Sequence, residues 1–373
     1  MTDSGIISFL AMGDVGPDRE DPQSIFEHAA PFIQEADISF CQLERILSNK
    51  GNLQVQIKAH HSRVDPANVS ALTFAGFDIL SFASNHCMDW GEDAFLDTID
   101  LLRGKGIDVI GVGKNIKEAR SPAIIERKGT RIAFLAYNSV VPRGYQAEAE
   151  TPGCAPLRAK TFYEQVDWQA GTPPKIISFT ETKDLEALVE DISNVRSLAD
   201  IIVVSIHWGV HFAPSIIAMY QKEAGHAAID AGADIIIGHH AHILKGVEAY
   251  KGKAIFYSLG NFAFDVSAEF VLKDKGYQNL RGRYPWDVDP EYIGYGYPPD
   301  SRKTMLVKCI ISDKQIQRVS FLPAYINKYA QPEILKTSDA RFEDVVTYME
   351  RISKEQKLDV KFVVEDNEVV VQS

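Results

Sequence analysis

Three consecutive isoleucines, Ile235-Ile236-Ile237, lead through Gly238 into His239-His240-Ala241-His242. Side chains alternate across a strand, so a segment that is apolar at every position needs cover on both faces. That restricts the chain to folds with a buried sheet, and a central parallel strand suits the run best. Open α/β sheets place their ligand sites at the carboxyl ends of such strands. Three of the chain's ten histidines therefore sit where a site would form. Imidazole is the commonest metal ligand. One or two histidines there could instead satisfy backbone groups or cap the next element.

Other strand ends repeat the pattern. Residues 6–12 read as a strand closed by Gly13-Asp14-Val15-Gly16, where Asp14 suits either a metal carboxylate or a helix N-cap. Residues 36–44 form a second strand ending in Glu44, and 77–83 a third that runs into Asn85-His86. Residues 201–206 close in His207-Trp208-Gly209, with His211 just beyond. Further strands are expected at 109–113 and 254–262, and hairpins at 122–137 and 303–322. Apolar spacing predicts helices at 22–35, 66–75, 92–104, 182–196, 216–231 and 340–355, with a small β pair at 358–372. Alternating strands and helices imply a layered α/β domain. Segments 139–180 and 268–302 lack periodicity and read as irregular covers over a site. Segment 48–62 carries Lys58, His60 and His61, either surface residues or a substrate rim.

Together, five strand ends carry Asp14, Glu44, Asn85-His86, His207 and the 239–242 histidines. Caps would favour Ser, Thr and Asp over so many histidines. A mixed oxygen and nitrogen set suits Mn, Fe or Zn. The four cysteines are far apart with no CxxC spacing, so no thiolate zinc site or disulfide framework is indicated. A net charge of -12 argues against a broad nucleic-acid surface but not against an anionic substrate beside a metal. Neither a basic leader nor an apolar stretch of membrane-spanning length is evident, so a soluble cytoplasmic protein is expected.

The motifs Gly13-Asp14-Val15, Leu43-Glu44, Phe82-Ala83-Ser84-Asn85-His86 with Asp89 and Gly91, His207-Trp208-Gly209, Gly238-His239-His240-Ala241-His242 and Tyr257-Ser258-Leu259-Gly260-Asn261-Phe262 resemble the calcineurin-like metallophosphatase superfamily. Within it they resemble the CapA family, named for poly-γ-glutamate capsule synthesis. The resemblance covers about residues 6–325. It implies a four-layer α/β/β/α sandwich of metallo-dependent phosphatase type over 1–330, with insertions 139–180 and 268–302 and an α/β extension at 331–373. It also implies one or two divalent metals. Asp14 and His242 would serve the first, Glu44 would bridge, and Asn85, His207 and His240 would serve the second. His86 would be the proton donor or transition-state stabiliser, with Asp89 holding its turn or simply capping a helix. His239 would be structural or, with His211, Lys58 and Arg143, near substrate. Arg158, Arg281 and Arg283 are further anion-binding candidates. Gly16 departs from the superfamily, which has a ligating His there; Asp18 or His211 would have to complete the first site. Gln42 stands where relatives carry Asn, and Val210-His211 where they carry Glu. The resemblance implies a metal-dependent hydrolase acting on a phosphoester or phosphodiester, alternatively on a γ-glutamyl or related amide, or else a non-catalytic capsule-assembly component.

Overall fold

The computed structural model describes residues 5–54 and 62–373. Two β-sheets stack face to face, with helices on each outer face. The first sheet has ten strands, and its main path runs Lys361–Glu365, Glu368–Gln372, Gln315–Ile326, Lys303–Ser312, Ile7–Gly16, Ile38–Leu43, Ile79–Ser81, Asp108–Ile110. Asn261–Phe264 pairs beside Ile7–Gly16, and Pro332–Ile334 beside Gln315–Ile326. The second sheet has six strands in the order Val247–Tyr250, Lys253–Phe256, Ile235–His239, Ile201–His207, Thr130–Asn138, Ala123–Arg127. Its four inner strands are parallel.

The alternation of side chains sorts the apolar residues into three layers of core. Phe9, Phe40, Phe134, Val203, Ile235, Ile237 and Phe256 fill the space between the sheets. Phe134 meets Phe9 edge-on at 5.5 Å and lies nearly parallel to Phe40 at 6.4 Å. On the outer face of the first sheet, Leu10, Met12, Cys41 and Leu80 pack on Leu72 and Phe95, from helices Val69–Ala75 and Gly91–Gly104. On the outer face of the second, Ile202, Val204 and Ile236 pack on Leu188 and Ala224, from helices Thr182–Val195 and Met219–Ala231. Ile236 thus faces one layer while Ile235 and Ile237 face another, which is why that strand is apolar throughout. The arrangement is the four-layer α/β/β/α sandwich expected from the sequence.

Several expectations change. The helix expected at 22–35 is broken into a 3-10 turn, Pro22–Phe26, and a short helix, Ala30–Gln34. Pro31 falls in the first turn of the second piece, where its missing N–H is harmless; inside one long helix it would break the ladder. The strand expected at 254–262 is two strands in different sheets, Lys253–Phe256 and Asn261–Phe264, because the chain turns at Gly260 (φ 68°) and crosses between the layers. Asp14 lies inside its strand, which continues to Gly16. Segment 139–180 contains the hairpin Ala159–Glu164 with Lys175–Thr180, and segment 268–302 contains the helices Ala268–Lys273 and Lys275–Arg283. The last residues join the same sandwich. Helix Ala340–Glu355 places Phe342, Val345, Met349 and Ile352 in the inter-sheet core, and Glu368–Gln372 pairs with Gln315–Ile326. No helix among the described residues is long and apolar enough to cross a membrane.

Candidate metal centre

The strand ends of both sheets converge at one edge of the sandwich. Asp14 arrives there through a break in register. Ala11 pairs with Phe40, but the next pairing is Asp14 with Gln42, so the strand carries one extra residue. Gly13 lies under the crossing chain, where a Cβ would stand 2.1 Å from the Gly260 carbonyl oxygen. The Asp14 amide donates to that same oxygen at 3.0 Å. The fully buried Asp14 carboxylate then accepts from the His240 amide at 3.1 Å. The accepting oxygen lies 3.7 Å from His242 Nδ1, and the other lies 3.0 Å from His239 Nδ1. Burial alone would raise the Asp14 pKa, but the surrounding His239, His207 and His242 rings outweigh it and hold the carboxyl below its usual range.

Glu44 follows Ile38–Leu43 directly, and its amide donates to the Val15 carbonyl at 3.1 Å. Its carboxylate is 1% exposed, and neither oxygen has a hydrogen-bond partner among the described residues. One oxygen lies 3.1 Å from His207 Nε2 and the other 3.6 Å from His242 Nε2. Burial pushes its pKa up to about 7, with the Asp14 charge adding to it and His242 opposing.

His207 ends its strand with Nε2 2.7 Å from Asn85 Oδ1, 3.1 Å from Glu44 and 3.1 Å from His240 Nδ1. One nitrogen cannot donate to three such neighbours at once; the atoms converge as ligands do. Burial pushes the His207 pKa down to about 4, which keeps the ring neutral and its lone pair available. His240 and His242 are both left-handed, at φ 84° and 55°, and their rings are 6.3 Å apart. Such strain in non-glycine residues clusters at functional sites. It divides the rings between two groups that could hold a metal ion, Glu44 with His207 and His240, and Asp14 with Glu44 and His242; within each group the donor atoms lie within 4.8 Å of one another. The unpartnered buried carboxylate oxygens and the buried imidazoles are a donor set that fits divalent cations.

His86 stands on the wall of an adjoining cavity of about 400 Å³. Its Nδ1 meets Asp89 Oδ2 at 2.7 Å, and Asp89 Oδ1 accepts from the Tyr145 hydroxyl at 2.8 Å. Asp89 therefore orients His86; the cap of helix Gly91–Gly104 is Trp90. Burial would depress the His86 pKa, but the charge and hydrogen bond of Asp89, helped by Glu44, raise it. The cavity is also lined by His211, Phe264, Tyr277, Arg283 and Tyr297.

The other candidates scatter. The His211 ring lies 4.0 Å from that of His240 and stacks on that of His242 at 5.3 Å, so it borders both groups. His239 packs on Phe40 at 5.9 Å and has no hydrogen-bond partner among the described residues; it faces Asp14 and is absent from the cavity wall. Asp18 does not complete the first group: its amide donates to Asp265 at 2.8 Å, and it borders a neighbouring cavity. Arg143 is exposed and off the cavity wall, Arg158 is held by Asp184 at 2.8 Å, and Arg281 donates to the Trp286 carbonyl. Only Arg283 of those four lines the cavity. Lys58, His60 and His61 lie outside the described residues. The sequence reading missed three contributors. Tyr145 orients Asp89, Arg45 lies beside Glu44, and Asn261 holds His242 Nδ1 at 2.8 Å. Asn261 belongs to a motif that was visible; nothing in the sequence marks Tyr145.

The family model for the bacterial capsule synthesis protein PGA_cap matches residues 1–266. The chain is 32% identical to the capsule biosynthesis protein CapA of Bacillus anthracis over 74% of its length and 62% of that protein. It is 30% identical to the PGA biosynthesis protein CapA of Bacillus subtilis (strain 168) over 66% of its length and 58% of that protein. The matched stretch thus spans about six tenths of those relatives. Among solved structures, a calcineurin-like phosphoesterase from Bacillus subtilis aligns over 94% of this chain and 97% of that one, at 14% identity and a TM-score of 0.39.

Proposed function

The chain belongs to the bacterial capsule synthesis protein family PGA_cap, and from that membership and the strand-end cluster we propose that it is a metal-dependent hydrolase. The observation that carries the reading is Glu44. Its two buried oxygens have no hydrogen-bond donor, and each faces a histidine of a different ligand group. Asp14, Glu44 and His242 would hold one divalent ion; Glu44, Asn85, His207 and His240 would hold a second. Mn, Fe or Zn suits these donors. When bound, such ions supply a water of lowered pKa and positive charge against the oxygens of the transition state.

The chain's own residues do the rest. Asp89 fixes the His86 ring through Nδ1, so Nε2 is the nitrogen that would pass a proton to the leaving group. Proton transfer of this kind contributes about 100- to 10,000-fold. Tyr277, Tyr297 and Phe264 give the cavity apolar walls that limit water. A carboxylate shared by two ligand groups suits in-line displacement at phosphorus, so a phosphoester or phosphodiester is the first substrate class. The relatives are named for PGA and capsule biosynthesis, and the second reading is hydrolysis of an amide in a γ-glutamyl chain. The third is an accessory role in that synthesis without catalysis.

The test uses full-length protein purified without chelator and reconstituted with Mn. p-Nitrophenyl phosphate, its bis ester and γ-glutamyl-p-nitroanilide are offered in parallel. Phosphoester turnover that chelator or Asn85→Ala abolishes is the expected result. Turnover of the anilide alone would replace it with the amide reading. No metal uptake and no turnover would sink the enzyme and leave the accessory role.

A further inference from the structure

Arg45 is a buried charged side chain at the site that the chemistry above leaves unused. It follows Glu44 in the chain and is 2% exposed. One terminal nitrogen donates to the Asp265 carbonyl at 2.5 Å, while Nε and the other terminal nitrogen have no hydrogen-bond partner among the described residues. The guanidinium also lies 4.9 Å from the centre of the Phe264 ring. Arginine stays charged at any working pH, and a charge withdrawn from water with donors unused is expensive unless an anion meets it. Segment 55–61 carries no Asp or Glu, so its residues supply no such carboxylate.

The position is built rather than incidental. A Cβ on Gly16 would lie 2.8 Å from Arg45 Cγ and 3.0 Å from its Nε, and 2.8 Å from the Phe264 ring. Only glycine at 16 leaves room for the stem. Arg45 lines the cavity that also holds Glu44, Asn85, His86 and His242, and Arg283 reaches the same cavity from helix Lys275–Arg283. Arg283 forms no ion pair among the described residues and is exposed, so it stands at the entrance. Arg45 also borders the neighbouring cavity, which Asp18 and Asp265 line, and its charge acts on Asp18 as it does on Glu44.

We infer that Arg45, with Arg283 at the rim, binds an oxyanion carried by the substrate, a carboxylate or a phosphate group, beside the Glu44 ligand cluster. This names the anionic partner of the proposed hydrolase site and rests on that reading only for its place in the reaction. The binding itself does not need the metal. Guanidinium groups favour both anions, and the two sources are separated by the probes.

Isothermal titration of the full chain, once reconstituted with Mn and once stripped, is run with inorganic phosphate and with glutarate. Elemental analysis accompanies each variant. Arg45→Gln is expected to weaken the preferred probe at least tenfold in both preparations with metal content unchanged. Arg45→Lys, which keeps the stem against Gly16, should keep part of the affinity. Arg283→Gln, on an exposed helix end, should weaken it a few-fold without touching the fold. Preference for phosphate or for glutarate identifies the group. Affinities within twofold of wild type for both probes in Arg45→Gln would overturn the inference. So would loss of metal together with the probe, since Arg45 would then serve Glu44 alone. A chain that binds a probe through Arg45 but takes up no metal would sink the hydrolase and leave the anion site standing.

Discussion

At the residue scale, Glu44 poses the sharpest question, because two buried carboxylate oxygens without a donor are costly in any fold. Each unsatisfied buried group costs about 1–3 kcal/mol, more when charged. Glu44→Gln keeps the volume and removes the charge. Metal-free Glu44→Gln should therefore be more stable than metal-free wild type by at least about 1 kcal/mol, while elemental analysis shows both ions reduced. Asp14→Asn should reduce one. Equal metal content in Glu44→Gln and wild type would remove Glu44 from both groups. Tyr145 acts further out, through Asp89. Tyr145→Phe leaves one Asp89 oxygen without its donor, so kcat should fall a few-fold with KM unchanged. Lys245 gives the pH signature. It is 1% exposed, donates to the Ala213 carbonyl, and burial pushes its pKa down to about 7. The unfolded chain binds that proton up to about pH 10.4. Between the two values the unfolded state holds more protons, so stability rises with pH, and the penalty is complete below about 7. Lys245→Met removes the penalty. Its advantage over wild type should grow by up to about 1.4 kcal/mol per unit as pH falls from 9 to 7, read from urea midpoints at the two pH values. An advantage of equal size at both would refute the assignment.

Elements carry these side chains to one place, and the tightest crossing is between the strand Ile7–Gly16 and the turn before Asn261–Phe264. Gly13→Ala would drive a Cβ to 2.1 Å from the Gly260 oxygen, a backbone atom that has no rotamer to yield. The expected loss exceeds about 3 kcal/mol, in the tail of single substitutions, and a denaturation midpoint near wild type would show that the crossing can relax. What could be read from the sequence follows from the same geometry. Ile201–His207 and Ile235–His239 are buried on both faces, so an unbroken apolar run marked them, and the polar residue ending each run marked the site. The left-handed His240 and His242 left no such mark, and Gly13 at the Asp14 bulge reads equally as the close of a strand. Gly260 was visible, but a glycine does not say that the chain leaves one sheet for the other. The hairpin Ala159–Glu164 with Lys175–Thr180 escaped because its residues are mostly exposed on both faces, which erases the alternation. Arg45 escaped for a different reason. Its burial depends on Gly16, a contact across 29 residues that no local pattern encodes.

For the whole molecule, the decisive fact is that neither sheet owns the ligand cluster. Asp14 lies near the end of a strand of the ten-stranded sheet, and Glu44 and Asn85 follow other strands of it; His207 ends a strand of the six-stranded sheet, and His240 and His242 follow another. Away from that edge the sheets are joined by apolar contact, with Phe134 against Phe9 and Phe40. At the edge itself the joining groups are two carboxylates and several imidazoles, and both Glu44 oxygens lack a hydrogen-bond partner among the described residues. Divalent ions would then act as ties across the sandwich, and their removal should loosen both layers together. A ligand present at 100 times its Kd stabilises the native state by about 2.7 kcal/mol. For a chain of 373 residues that corresponds to roughly 3 °C in Tm. Chelator-treated protein should melt lower by about that amount for each ion lost and recover with Mn, and Glu44→Gln should show a much smaller shift. Hydrogen exchange gives the discriminating readout. Amides at the ends of Ile38–Leu43 in one sheet and Ile201–His207 in the other should gain protection together on metal addition, while those of the distant hairpin Lys361–Gln372 stay unchanged. Protection gained in one sheet alone would mean that the ions bind a single layer, and the shared role of Glu44 would have to be abandoned.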